Sequence, residues 1–234
     1  MINNLPIYIS VLFGLTVLLT LILFYAVIKN AAPDNTTSNA NIIIIILLIW
    51  ITIQSLLGLN NFYSTGTKGF PPRFFLTVLP MLLLILILFT TKSGKAFIDS
   101  LPLRTITWLN IVRIPVELVL YWLSIHKAVP VLMTFAGRNF DIVAGITAPI
   151  IAFFCFGPKK NHRKLILVWN FISLGLLMNI VVNAVLSAPF SFQRFAFYQP
   201  NIAVLYFPFD LLPAFIVPVV LFGHLVSIRQ LMNE

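Results

Sequence analysis

The stretch "LPIYISVLFGLTVLLTLILFYAVI", residues 5–28, contains no charged side chain. An α-helix needs about 20 predominantly apolar residues to cross the hydrocarbon core of a bilayer, so this stretch predicts a transmembrane helix. It is longer than the apolar part of a typical signal peptide, and no basic residue precedes it. We therefore expect the helix to be retained in the mature protein.

The composition extends this prediction to the whole chain. Of the 234 residues, 60% are apolar and only 9% are charged, and the mean hydropathy is +1.02. A soluble domain carries about 25% charged residues, so the composition indicates an integral membrane protein. The single cysteine, Cys155, excludes an intramolecular disulfide, and its apolar surroundings favour a packing role.

Seven apolar runs predict an all-α integral membrane bundle of seven transmembrane helices. Each run is close to the length of a membrane span, although the third and fifth are short. We treat the chain as a single transmembrane domain over 1–234, because only short loops separate the runs. The predicted helices cover residues 5–28, 42–59, 74–91, 105–125, 140–156, 165–186 and 202–226.

Loop charges predict the orientation, because Lys and Arg are enriched in cytoplasmic loops. With the N-terminus outside and the C-terminus inside, the inner segments hold nine basic residues and the outer segments five. The inner residues are Lys29, Lys92, Lys95, Arg104, Lys159, Lys160, Arg163, Lys164 and Arg229, and the outer ones are Lys68, Arg73, Lys127, Arg138 and Arg194. Since topology accounts for most of the basic residues, the net charge of +9 does not indicate a nucleic-acid partner.

The stretch "NIVRIPVELVLYW", residues 110–122, places charges within the fourth run. Arg113, Glu117 and Tyr121 follow one another at four-residue spacing, so they share one helix face. Pro115 lies between the two charges and predicts a kink. Charges at this depth are costly and usually face a bundle interior. Two interpretations remain open, an ion pair that fixes the packing or a binding or proton-exchange site.

Two further carboxylates lie near the predicted outer half. Asp141 begins the fifth run, where a carboxylate interacts favourably with the helix dipole and Asn139 is a candidate cap. Asp210 lies between Pro208 and Pro213 in the seventh run, which predicts a broken helix. Discontinuous helices with polar groups are places where transporters bind substrates and ions.

Amide side chains complete the candidate site. Taken singly, Asn60, Asn179 and Asn183 are each best interpreted as an interhelical hydrogen-bonding group. Together with the carboxylates they predict a polar, acidic cavity that opens outward from the membrane midplane. The candidate ligand or proton site consists of Glu117, Arg113, Asp210, Asp141, Tyr121, Asn179, Asn183 and Asn60. The sequence assigns no catalytic residue, and no ligand spacing indicates a metal or cofactor.

The segments "RIPVELVLYW", residues 113–122, and "GRNFDIVAGITAP", residues 137–149, resemble an uncharacterised family of bacterial multi-pass membrane proteins. The resemblance implies a location in the bacterial inner membrane. It implies no chemistry and assigns no functional residues.

Three hypotheses of function follow. The first is binding or transport of a small polar or cationic solute, with proton coupling as an option and Glu117 as the central carboxylate. The second is an intramembrane enzyme on a lipid or quinone-like substrate, with Glu117 or Asp210 as general acid or base. The third is a non-catalytic structural or sensory partner subunit. The expected partners are the lipid bilayer and a small solute or lipid, without nucleic acid, and a homo-oligomer remains open.

Overall fold

The computed structural model describes residues 2, 5–31, 36–157 and 160–233, and within them nine α-helices. The helices are α1 Ile7–Lys29, α2 Thr36–Leu59, α3 Phe75–Thr90, α4 Lys92–Ser100, α5 Leu103–Leu109, α6 Arg113–Ile125, α7 Asp141–Phe154, α8 Arg163–Ser187 and α9 Val217–Asn233. Two-residue strands, β1 Phe156–Gly157 and β2 Lys160–Asn161, pair antiparallel before α8. Lys159, one of the nine basic residues expected inside, lies outside the described residues.

Within the described residues, five helical segments are long and apolar enough to cross a membrane. They cover Ile7–Lys29, Ala40–Leu59, Leu103–Ile125, Arg163–Ser187 and Leu212–Asn233. A sixth is reached if α3 and α4, which meet at an angle of 93°, are counted as one broken span. Helix α7 is apolar but has only 14 residues. The chain is therefore an all-helical membrane protein with several spans.

The fourth apolar run is one span with a local change of helix type. Helices α5 and α6 are joined by a 3₁₀ turn over Asn110–Val112. Pro115 is the reason, because it has no amide hydrogen for the carbonyl of Ile111, four residues earlier. The proline falls in the first turn of α6, where a missing N–H is tolerated.

The seventh run, predicted as one bent helix over 202–226, is divided further. A 3₁₀ turn at Ala203–Leu205 is followed by a π-helix at Leu212–Ile216, and α9 then continues to Asn233. Pro218 cannot donate to the carbonyl of Ala214. The indole Nε1 of Trp50 donates to that carbonyl instead, at 2.9 Å, so α2 satisfies a group that the proline leaves open.

Helix α4 covers a segment that the sequence assigned to a loop. Thr91 caps it, since its hydroxyl accepts a hydrogen bond from the amide of Gly94 at 3.2 Å. A Cβ at Gly94 would lie only 2.6 Å from the Cα of Leu88, so the sharp turn between α3 and α4 requires glycine. Two contacts fasten α4 to α9. Arg229 forms an ion pair with Asp99 at 3.0 Å, and the side-chain amide of Gln230 donates to two carbonyls around the end of α4.

These contacts define two ends of the bundle. The basic end holds Lys29, α4, the start of α8 and the end of α9, where the guanidinium of Arg163 donates to the carbonyl of Leu231. At the opposite end, the side-chain amide of Gln199 donates to the carbonyls of Ser124 and Val129 at 2.9 and 2.6 Å. Between them lies an apolar core to which α1, α6 and residues 203–226 contribute most of the buried side chains.

Candidate functional site

Arg113 occupies the centre of the bundle and is only 2% exposed. Its Nη1 lies 3.0 Å from Oδ1 of Asp141, which forms a buried ion pair between α6 and α7. The same nitrogen donates to the carbonyl of Ser173 in α8 at 3.2 Å. Its Nη2 lies 2.8 Å from Nε2 of His224 in α9. One guanidinium therefore connects four helices.

The contact with Arg113 determines the tautomer of His224. A guanidinium can only donate, so Nε2 of His224 accepts and the ring is neutral with its hydrogen on Nδ1. Nδ1 then donates to Oδ1 of Asn170 at 2.8 Å. The Asn170 amide donates in turn to the carbonyl of Ile166 at 2.9 Å. In this series of hydrogen bonds from Arg113 to Ile166, every donor therefore faces an acceptor.

Gly145 allows α7 to approach α6 closely enough for the ion pair. A Cβ at this position would lie 2.9 Å from Cγ1 of Ile114 and 3.2 Å from Cβ of Arg113. Asp141 lies one helical turn before Gly145 on the same face. The glycine thus brings the carboxylate of Asp141 within reach of the guanidinium.

Glu117 lies one turn beyond Arg113 in α6 and is 1% exposed. The structure pairs Arg113 with Asp141, whereas Oε1 of Glu117 accepts a hydrogen bond from the amide of Asn139. Asn139 also donates to the carbonyl of Met133 and accepts from the backbone amide of Asp141. Oε2 of Glu117 is buried, and no described residue forms a hydrogen bond with it.

We call these residues the Arg113 cluster: Arg113, Glu117, Asn139, Asp141, Asn170, Ser173 and His224. The sequence predicted three charged members and considered Asn139 only as a cap. It missed His224 as a partner of Arg113, because the two residues are 111 positions apart and His224 stands in an apolar run.

Asp210 belongs to a different location, against α2. It is fully buried, and neither carboxylate oxygen has a hydrogen-bond partner among the described residues. A Cβ at Gly58 would lie 2.8 Å from Cγ of Asp210 and closer still to Oδ2, so the carboxylate packs directly on the α2 backbone. Nearby, the phenol of Tyr63 donates to Oε1 of Gln54. Burial and, to a smaller degree, Asp210 raise the pKa of the Tyr63 phenol, which keeps it a hydrogen-bond donor.

The remaining predicted site residues contact groups other than those of the Arg113 cluster. Asn60 and Asn179 are exposed, and their amides donate to the carbonyls of Leu56 and Arg138. Asn183 donates to Asn179. Tyr121 stacks on Phe135 with ring centroids 4.9 Å apart. The structure therefore brings together Arg113, Glu117 and Asp141 and places the other five predicted residues elsewhere.

Comparison with known proteins identifies the family. A family model described as "Domain of unknown function (DUF8737)" matches residues 70–232, which is more than two thirds of the chain. The chain belongs to this family. The matched DUF8737 region contains all seven residues of the Arg113 cluster and Asp210, and it begins after α2. No curated protein and no solved structure matches the chain.

Proposed function

We propose that this membrane protein binds or transports a small polar or cationic solute, with Glu117 as the proton- or solute-binding carboxylate of the Arg113 cluster. In this proposal all seven apolar runs cross a bacterial inner membrane, with the N-terminus outside and the C-terminus inside. The bilayer and the solute are the partners.

The observation that carries the proposal is the unpaired Oε2 of Glu117, buried beside the ion pair that Arg113 forms with Asp141. An ionised carboxylate is costly to bury unless each oxygen has a partner. A bound proton, or a cationic or N–H group of a solute, would supply the missing partner. A cluster that only fixed the packing would need Arg113 and Asp141 but no second carboxylate.

The other residues of the cluster have positioning roles in this proposal. Asp141 neutralises Arg113, and Asn139 holds Oε1 of Glu117 while it contacts the start of α7. The chain from Arg113 through His224 to Asn170 fixes the guanidinium toward the basic end. Nε of Arg113, Oδ1 of Asp141 and Oε2 of Glu117 have no hydrogen-bond partner among the described residues. The first two belong to the residues of the ion pair, so Glu117 is the carboxylate in this proposal that is available to a proton or a solute.

The first test measures proton flux and solute binding by the purified protein. Proteoliposomes with an internal pH dye report proton flux under an imposed potential. Thermal melting with choline, guanidinium or ethanolamine reports binding, because a ligand at 100 times its Kd stabilises the folded state by about 2.7 kcal/mol. We expect Glu117→Gln to abolish the response that the wild type shows. The matched control is Asp99→Asn, which removes a half-exposed carboxylate at the basic end.

A second test measures access to the cluster. Two cysteine variants are made in a Cys155→Ala background. One replaces Tyr121, one turn beyond Glu117, and the other replaces Leu118, which is 37% exposed. We expect a small cationic thiosulfonate to label position 121 from the outer side and not position 118. If position 121 stays unlabelled and the wild type shows neither proton flux nor a melting shift, the proposal is overturned in favour of a partner subunit without a ligand.

A further inference from the structure

A cavity of about 280 Å³ lies on the side of the bundle formed by α1, α2, α3 and α9, apart from the Arg113 cluster. Its lining is apolar and includes Phe24, Leu47, Met81, Leu88, Phe97 and Phe222. Phe24 and Phe89 pack edge-on against Phe222, with ring centroids 6.1 and 6.4 Å away. The cavity thus has an aromatic wall and no polar group that would orient a water-soluble ligand.

The cavity extends along α3 from the basic end. Leu88 lies in the last turn of α3, and Met81 lies seven residues earlier, which is a depth of about 10 Å at 1.5 Å per residue. Phe97 of α4 lines the cavity at its end near the bundle surface. Because α4 turns by 93° from α3, it lies across the end of the bundle above the cavity. This is the geometry of an amphipathic helix at a membrane interface.

The charges of α4 do not cancel. Asp99 is paired with Arg229, whereas Lys92 and Lys95 form no ion pair within the described part of the chain. At 3.6 residues per turn, Lys95 leaves α4 on the side away from Phe97. The lysine side chains are long enough to reach the headgroup layer while the apolar face of the helix covers the cavity.

We propose that the cavity holds an acyl chain of an anionic phospholipid, whose phosphate binds Lys92 and Lys95 on α4. The apolar lining matches the chain, and the two uncompensated lysines match the headgroup charge. The bilayer itself supplies this ligand at the depth of the cavity. The proposal is independent of any role of Glu117.

The experiment is native mass spectrometry of the protein released from nanodiscs of phosphatidylglycerol mixed with phosphatidylcholine. We expect the wild type to retain phosphatidylglycerol preferentially. A lysine near a membrane surface contributes about fivefold to anionic-lipid binding, equivalent to about 1 kcal/mol. The double variant Lys92→Gln/Lys95→Gln is expected to lose most of the preference. The control, Lys68→Gln/Lys127→Gln, removes two lysines that lie outside the basic end and is expected to keep it.

A second pair of variants tests the cavity itself. Leu84→Trp fills the cavity, whereas Leu83→Trp changes a neighbouring exposed leucine that does not line it. We expect Leu84→Trp to reduce retention of both lipids and Leu83→Trp to leave it unchanged. A wild type without preference for phosphatidylglycerol overturns the proposal, whether or not the variants fold. A preference that survives in the α4 double variant, or retention that survives in Leu84→Trp, overturns it as well.

Discussion

The contact between Gly58 and Asp210 can be tested directly by mutation. It joins α2 to the segment that precedes the π-helix at Leu212–Ile216. A Cβ at Gly58 would lie 2.8 Å from Cγ of Asp210, whereas ordinary van der Waals contacts are 3.4 Å or longer. Asp210 is fully buried, so its carboxylate has no solvent into which it can withdraw. We therefore expect Gly58→Ala to strain this contact.

The expected size follows from two opposing effects. Overpacking a tightly packed site costs about 1–3 kcal/mol. Alanine recovers up to about 1 kcal/mol of helix propensity, and less here because Gly58 is the penultimate residue of α2. The net loss of about 1–2 kcal/mol corresponds to a fall of about 2–8 °C in the melting temperature of a chain of this size.

The assay is thermal melting of the purified protein in one detergent. Gly14→Ala and Gly175→Ala are the matched controls, because a Cβ at either position meets nothing within 4 Å. We expect both controls to melt at or above the wild-type temperature. Asp210→Ala should relieve the strain, so the double variant Gly58→Ala/Asp210→Ala should show a coupling energy in a double-mutant cycle. If Gly58→Ala melts as the controls do, the contact between α2 and Asp210 is refuted.

Three further predictions concern single buried groups, each measured by thermal melting. Asp141→Asn removes the ion-pair partner of buried Arg113 and is expected to cost about 3–5 kcal/mol; a loss under about 1 kcal/mol would show that the pair does not form. Trp50→Phe removes the donor to the Ala214 carbonyl and should cost about 1–3 kcal/mol. Adding Pro218→Ala, which restores a backbone N–H, should reduce that cost, and an equal loss with and without it would contradict our explanation. Gln199→Glu replaces the donor to two carbonyls with acceptors and should destabilise by about 1–3 kcal/mol. Gln199→Ala should cost less, because it removes the donor without placing a carboxylate against the carbonyls, and an equal or larger loss in Gln199→Ala would contradict this explanation.

The sequence-based prediction and the structure agree best for helices that follow from the length of an apolar run alone. The apolar run at 5–28 becomes α1 at Ile7–Lys29, and the run at 165–186 becomes α8 at Arg163–Ser187. A long apolar stretch has no alternative in a membrane but a helix, because its backbone groups must be satisfied internally. The prediction of an all-helical membrane protein is confirmed on this basis. The count of seven spans and the orientation stay predictions.

The sequence was less informative where prolines and short amphipathic segments occur. Pro208 and Pro213 predicted a broken helix, but not that a π-helix would form or that Trp50 would donate to the carbonyl that Pro218 leaves open. Helix α4 is too short and too polar for a membrane span, so hydropathy did not separate it from a loop. Its stability comes from the Thr91 cap and the contacts with α9, which depend on the tertiary arrangement.

The sequence by itself determined that Arg113 and Glu117 lie together in a membrane span, because helical spacing and apolar length are local properties of the chain. Only the tertiary structure decided their partners. Gly145 brings Asp141 to the guanidinium, α9 brings His224, and Asn139 takes one oxygen of Glu117. These partners lie on other helices, and the close approach of those helices, rather than the spacing within α6, decides which carboxylate neutralises the arginine and which keeps an unpaired oxygen.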